Sequence, residues 1–198
     1  TNVIGTLNLL DIVKSMKNIK SLVNVTSDKC YENPKKFKRL SETDPMGGHD
    51  PYSTSKACVE LMTSSFRDSY FPVNEYGVKH NVLLSTVRSG NVVGGGDWTD
   101  NRLIPDVMRA VSNNKKVIIR NSEHIRPWQH VLDPLCGYLL LGKKLLEGKK
   151  EFSGAWNFGT SKNESIKVID VVKTLKYYWN QINYELDNSD SKPHETNM

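Results

Sequence analysis

Asp50-Pro51-Tyr52-Ser53-Thr54-Ser55-Lys56 reads as the first turns of a helix. Asp is a strong N-cap, and Pro suits the first helical position. Tyr52 and Lys56 are four residues apart, so in a helix they stand one above the other on one face. A phenol then lies beside an ammonium group. A nearby positive charge favours a phenolate, so Tyr52 is a candidate to take or return a proton near neutral pH. A second Tyr-x-x-x-Lys, Tyr31 to Lys35, carries Pro34 inside it, which argues against a helical pair there.

Upstream, residues 21–27, Ser-Leu-Val-Asn-Val-Thr-Ser, read as a buried strand that runs at once into Asp28 and Lys29. In an open parallel sheet, ligands collect beyond the carboxyl ends of strands. Ser27, Asp28 and Lys29 are therefore candidate functional residues. Before this strand, Ile4, Leu7, Leu10, Val13 and Met16 recur at helical spacing. After it, residues 30–49 read as a long loop with Pro34, Pro45, Gly47 and Gly48. The helix opened by Asp50 is expected to run to about Tyr70, with Cys58, Leu61, Met62 and Phe66 facing inward.

Downstream, residues 81–88 read as a second buried strand, ending in Arg88-Ser89-Gly90-Asn91-Val92-Val93-Gly94-Gly95-Gly96-Asp97-Trp98. Its glycines permit close approach of the backbone to a ligand. A helix is expected over 101–113 and a short strand over 116–120. Arg126 has the planar fork that grips a phosphate. Asp133 is expected to cap a helix reaching Leu146 and burying Leu135, Tyr138, Leu139, Leu145 and Leu146. Ser165 is expected to cap a last helix with Ile166, Ile169, Val172, Leu175 and Trp179 inside.

The 198 residues carry 27 Lys and Arg against 22 Asp and Glu, a net charge of +5. The basic run Lys35, Lys36, Lys38 and Arg39 reads as a solvated loop. No basic stripe with interleaved aromatics marks a nucleic-acid surface. No apolar run approaches the ~18 residues of a membrane helix. Cys30, Cys58 and Cys136 are few, odd in number and widely spaced, which fits a reducing cytoplasm and suggests neither disulfides nor a metal. The chain opens on Thr1 inside an expected helix, so it reads as a piece of a longer protein.

Four runs in this order, Thr26–Asn33, Met46–Lys56, Arg88–Trp98 and Arg126–Leu139, resemble the extended short-chain dehydrogenase/reductase family. Within it the chain is similar to the nucleotide-sugar 4,6-dehydratases, of the kind that act on CDP-glucose. The resemblance implies an α/β fold: a Rossmann-like, doubly wound parallel sheet with a smaller substrate-binding domain. Residues 1–90 would be the C-terminal part of the NAD-binding domain, and residues 91–198 mainly the nucleotide-sugar domain.

It also implies bound NAD, held in part by Thr26, Tyr52 and Lys56, and a nucleotide-sugar substrate gripped by Asn91, Arg102 and Arg126. Tyr52 would take the proton of the sugar's 4-hydroxyl, and Ser27, with Thr26 beside it, would hydrogen-bond that oxygen. Asp28 would protonate the departing 6-hydroxyl. Relatives acting on dTDP-glucose place a Glu after that Asp as base at carbon 5; here Lys29 stands in its place and is the candidate base. The family's Gly-rich turn after a first strand has no counterpart before Gly5, and Gly94-Gly95-Gly96 follows the wrong strand. The 198 residues alone are therefore expected to bind NAD poorly.

The complete protein is expected to be a homodimer or higher homo-oligomer and to serve deoxysugar biosynthesis, such as that of lipopolysaccharide O-antigen. Other readings are a dehydratase of dTDP-glucose or GDP-mannose, an epimerase, or an inactive or cofactor-sensing family member.

Overall fold

The computed structural model describes residues 1–32, 39–160 and 165–187. In chain order the elements are α1 (Asn2–Ser15), β1 (Ser21–Val25), a 3-10 turn Asp28–Cys30, α2 (Pro51–Tyr70) and β2 (Leu83–Ser89). Then come β3 (Val92–Val93), α3 (Leu103–Ser112), β4 (Val117–Ile119), β5 (Ile125–Pro127), β6 (Gln129–His130) and α4 (Leu132–Leu146). The last are β7 (Ala155–Phe158), β8 (Ser165–Lys167), α5 (Val168–Tyr178) and β9 (Tyr184–Leu186). Two compact units emerge: Thr1–Gly90 with Leu132–Gly159, and Asn91–Val131 with Thr160–Met198.

The first unit is built on a parallel sheet ordered β1-β2-β7. Ser21 to Val25 lie opposite Leu83 to Val87, and Thr86 to Ser89 opposite Ala155 to Phe158. Strand side chains alternate between faces. On one face Leu84 packs with Leu10 and Val13 of α1 and with Phe71. On the other, Leu83 and Val87 pack with Leu141 and Leu145 of α4. Helices thus cover both faces, the α/β doubly wound arrangement in which a parallel sheet is buried.

Among the described residues the second unit has three strand pairs, β3 with β6 and β4 with β9 parallel, and β5 with β8 antiparallel. Val107 of α3, Val117 and Ile119 of β4, Val172 of α5 and Ile182 form its core.

The inner faces of three helices differ from expectation. In α2 the buried residues are Ser53, Ala57, Val59, Glu60 and Thr63, while Leu61 is 59% exposed. The buried side of α2 is polar because the sheet positions beneath it, Asn24, Thr86 and Arg88, offer hydrogen-bonding partners. In α4 the inner stripe is Pro134, Leu141 and Leu145, with Tyr138 half-buried; Leu135, Leu139 and Leu146 are exposed. Leucines lie nearly all round that helix, so periodicity alone does not select a face. In α1 only Leu10 and Val13 are buried.

Ser165 does not cap α5. Residues 165–167 pair with 125–127 as β8, and α5 opens at Val168 with Lys167 at its N-cap. The first N–H groups of that helix go to loop carbonyls, Val168 to His124 at 2.9 Å and Ile169 to Ser122 at 3.0 Å. Of the basic run, Lys35, Lys36 and Lys38 lie outside the described residues.

Candidate active site

The carboxyl end of β1 and the amino end of α2 meet in the first unit, where α2 packs against the 3-10 turn Asp28–Cys30. Ser27 is extended (φ −169°, ψ 154°) and caps that turn, its Oγ accepting from Lys29 N at 3.2 Å. The same hydroxyl donates to Asp28 Oδ1 at 3.1 Å. The sequence thus turns the chain immediately after the strand and presents Asp28 and Lys29 on the turn.

Helix α2 starts as expected. Asp50 accepts from Tyr52 N at 2.9 Å, from Ser53 N at 3.0 Å and from Ser53 Oγ at 2.6 Å. Gly48 lies so close above this turn that a Cβ there would stand 2.6 Å from both Ser53 Cβ and Thr54 N. Hydrogen bonds from Ser53 hold the Asp50 carboxyl below the usual carboxylate range, and the Lys29 charge acts in the same direction. The Lys29 ammonium is therefore within electrostatic reach of the α2 N-terminus. Tyr52 is 52% exposed, with Lys56 Nζ 6.0 Å from the centre of its ring.

A third element joins this end of the sheet. Tyr138 of α4 donates to Ser89 Oγ at 2.8 Å, and its ring meets Phe158 edge-on at 5.1 Å. Burial pushes the Tyr138 phenol up, and the Asp28 carboxylate adds to that shift. Periodicity marked Tyr138 only as a core residue; its hydroxyl lies within the field of Asp28.

Thr26, at the end of β1, is turned inward. It is 8% exposed, and its hydroxyl lies against Glu60 Oε1 and, at 3.1 Å, the Val87 carbonyl. Its hydroxyl proton is directed to these two protein acceptors.

Arg88, which the sequence placed beside a ligand-approaching loop, is 1% exposed and turned inward. Its Nε donates to Glu60 Oε1 at 2.8 Å and its Nη2 to Glu60 Oε2 at 2.7 Å. Sequence reading missed Glu60, which looks like one more surface charge on a helix. The available signal was its spacing, four beyond Lys56 and seven beyond Ser53 on a face that packs on the sheet.

Asn91, Arg102 and Arg126 all belong to the second unit. Asn91 is half-buried and its carbonyl accepts from Gln129 N at 3.1 Å. Arg102 precedes α3, its side chain 60% exposed and its Nη1 3.5 Å from Asp97 Oδ2. Arg126 on β5 is buried, with Nη2 3.4 Å from His124 Nδ1. Among the described residues no cluster of His, Cys, Asp and Glu could hold a metal ion.

Comparison with known proteins identifies the family and the fold. The chain is 48% identical over 195 residues to a CDP-glucose 4,6-dehydratase of Salmonella typhimurium, covering 98% of this chain and 54% of that protein. It superimposes with a TM-score of 0.71 on a dTDP-glucose 4,6-dehydratase of Bacillus anthracis solved with NAD, at 27% identity, covering 96% of this chain and 57% of the other. A UDP-glucuronic acid 4-epimerase of Bacillus cereus shares the fold, with a TM-score of 0.76 at 17% identity over 96% of this chain and 55% of that one. The chain spans about half the length of these relatives. The model of the NAD dependent epimerase/dehydratase family matches residues 1–159, taking in the whole of the first unit and the start of the second, and it is to that family that this chain belongs.

Proposed function

We propose that the chain forms the catalytic part of an NAD-using nucleotide-sugar 4,6-dehydratase, a hydro-lyase that converts CDP-glucose to CDP-4-keto-6-deoxyglucose and water. The observation that carries this is the packing of the Asp28–Lys29 turn on α2, the helix that carries half-exposed Tyr52 with Lys56 one turn on. An acid, an amine base and a phenol with its own cation then belong to one end of one sheet. The identity to a protein named for CDP-glucose supports that substrate over dTDP-glucose or GDP-mannose.

The donor set fits the nicotinamide end of the cofactor. A half-exposed phenol with an ammonium beside it suits a ribose hydroxyl and a reacting sugar at once, and Tyr52 and Lys56 would hold that end. NAD, when bound, supplies a hydride acceptor for sugar carbon 4 and a hydride donor for carbon 6. The chain's own groups handle protons. Tyr52 takes the proton of the 4-hydroxyl, and Ser27 hydrogen-bonds that oxygen. Lys29 removes the proton of carbon 5, made acidic by the neighbouring carbonyl. Asp28, protonated for this step, gives its proton to the departing 6-hydroxyl, which leaves as water.

Asn91, Arg102 and Arg126 bind the nucleotide sugar, Arg126 by a bidentate grip on the diphosphate. Residues 1–90 carry part of the NAD-binding domain, and most of residues 91–198 serve the sugar nucleotide. The product enters deoxysugar biosynthesis in the cytoplasm, where the three unpaired cysteines are at home, and the protein works as a homo-oligomer.

The test is product analysis of the full-length protein offered CDP-glucose, dTDP-glucose and GDP-mannose separately. The expected result is a product one water lighter, formed fastest from CDP-glucose. A product of unchanged mass would make the protein an epimerase, and preference for another nucleotide would overturn the substrate.

A further inference from the structure

Five buried polar side chains, Thr26, Tyr31, Glu60, Thr86 and Arg88, form a cluster beneath the site, and none of them handles a proton in the reaction above. At its centre is the Glu60–Arg88 ion pair, with side chains 2% and 1% exposed. Each carboxylate oxygen receives two donors. Oε1 takes Thr26 Oγ1 and Arg88 Nε; Oε2 takes Thr86 Oγ1 and Arg88 Nη2, each at 2.7 Å. The remaining guanidinium nitrogen, Nη1, donates to the Tyr31 hydroxyl at 2.6 Å and to the Glu42 carbonyl at 3.3 Å. Tyr31 passes its own proton to Asn157 Oδ1 at 2.7 Å. Asn157 in turn donates through Nδ2 to the Leu40 carbonyl at 3.2 Å, and its N–H donates to Glu42 Oε1 at 2.8 Å.

A buried ion pair is a poor source of stability, because removing two charges from water offsets most of their attraction. Its use must be sought in what it orders. The chain enters the Ser27–Asp28–Lys29–Cys30 segment at Thr26 and leaves it at Tyr31. Both flanking residues end on this pair, Thr26 on the carboxylate and Tyr31 on the guanidinium. Glu60 lies one turn beyond Lys56 and two beyond Tyr52 on α2. The pair therefore fixes both ends of the turn that carries Asp28 and Lys29 to the helix that carries Tyr52 and Lys56.

We propose that Glu60, Arg88 and Tyr31 are positioning residues: a buried clamp that sets the place of the Ser27–Asp28–Lys29 turn on α2. The catalytic side of this inference rests on the dehydratase reading above.

Cys30 supplies a reporter independent of turnover. It lies inside the clamped segment and is fully buried, whereas Cys58 is half-buried and Cys136 exposed. With Cys58→Ser and Cys136→Ser, Cys30 is the one thiol among these 198 residues, and its alkylation by iodoacetamide, read on its own peptide, reports the opening of the segment. Tyr31→Phe removes a single hydroxyl and leaves the ring, whose centre is 5.0 Å from the Arg88 guanidinium carbon.

In that background Tyr31→Phe and Arg88→Lys should speed Cys30 alkylation about tenfold, with little dependence on denaturant, the mark of local opening. The thermal midpoint of Tyr31→Phe should stay near that of the parent. Alkylation unchanged in both variants, or rising only in step with global unfolding, would overturn the clamp.

In the full-length enzyme the same two substitutions should lower kcat about tenfold while KM for CDP-glucose stays within about twofold. Faster alkylation with unchanged kcat would overturn the positioning role. An inactive parent protein would instead remove the dehydratase reading, and the alkylation result would still decide the clamp.

Discussion

Asp50 and Ser53 close the amino end of α2 on each other: the Asp50 carboxylate accepts both the backbone N–H of Ser53, at 3.0 Å, and its hydroxyl, at 2.6 Å. This contact sets where the helix starts, and hence which way Tyr52 leaves it. Asp50→Ala should lower stability by about 1–2 kcal/mol, the usual worth of an N-cap. Asp50→Asn should retain most of it, since an amide oxygen caps nearly as well. Urea unfolding of the three proteins decides. Equal midpoints for Asp50→Ala and the parent would mean the cap contributes nothing.

Acid should act through Glu60. Burial alone would raise its pKa, but hydrogen bonds from Arg88 and Thr26 outweigh that and hold it below the ordinary 4.5. The folded state thus binds this proton less readily than the unfolded chain. Its contribution is complete above pH 4.5 and is lost as pH falls through the folded value. Glu60→Gln leaves Arg88 buried without its counter-charge, a loss of about 3 kcal/mol at pH 7. The gap between parent and variant should narrow below pH 4.5. A gap that stays constant down to acid unfolding would show that Glu60 is not the titrating group.

Gly137 on α4 faces the ring of Phe158 at the carboxyl end of β7. A Cβ there would overlap Phe158 Cε1 and come within 2.5 Å of Cδ1. Ala is the better helix former by about 1 kcal/mol, but overpacking of this kind costs about 1–3 kcal/mol. Gly137→Ala should therefore lower the melting temperature and disturb Tyr138, which packs on the same ring. A higher melting temperature would exclude this close packing.

The three thiols should separate cleanly under native conditions. Cys136 is exposed, Cys58 half-buried and Cys30 fully buried. Burial pushes the Cys30 thiol up to about 12, so little thiolate is present near neutrality. Peptide mapping after brief alkylation at neutral pH should find Cys136 modified and Cys30 untouched. Early modification of Cys30 would contradict its burial.

Local signals in the sequence carried much of this structure. Asp50 followed by Pro51 marked the start of α2 to the residue, because capping and the fixed φ of proline act within one turn. The stretches 21–27 and 81–88, rich in Leu and Val, marked the first two sheet strands; β2 is buried as expected, whereas β1 is half-buried and Val25 at its end is exposed. Long-range polar pairing left no such mark. Glu60 and Arg88 are 28 residues apart; Glu60 alone looks like a solvated helix charge, and Arg88 alone like part of a ligand-approaching loop. The polar inner face of α2 misled a reading by hydrophobicity for the same reason: Ser53, Glu60 and Thr63 are buried by partners on other elements. Residues 165–167 became a strand because residues 125–127 offered an edge, which composition does not reveal.

Distance along the chain gives the Glu60–Arg88 pair a kinetic meaning. Either charge stays hydrated until the other arrives, and the second arrives only when α2 docks on a formed β2. The pair therefore belongs to the native side of the folding barrier. Removing it should leave the refolding rate nearly unchanged and hasten unfolding, which stopped-flow denaturant jumps on Glu60→Gln would measure directly. The clamp's largest effect would then be on lifetime: how long the first unit stays closed once it has folded.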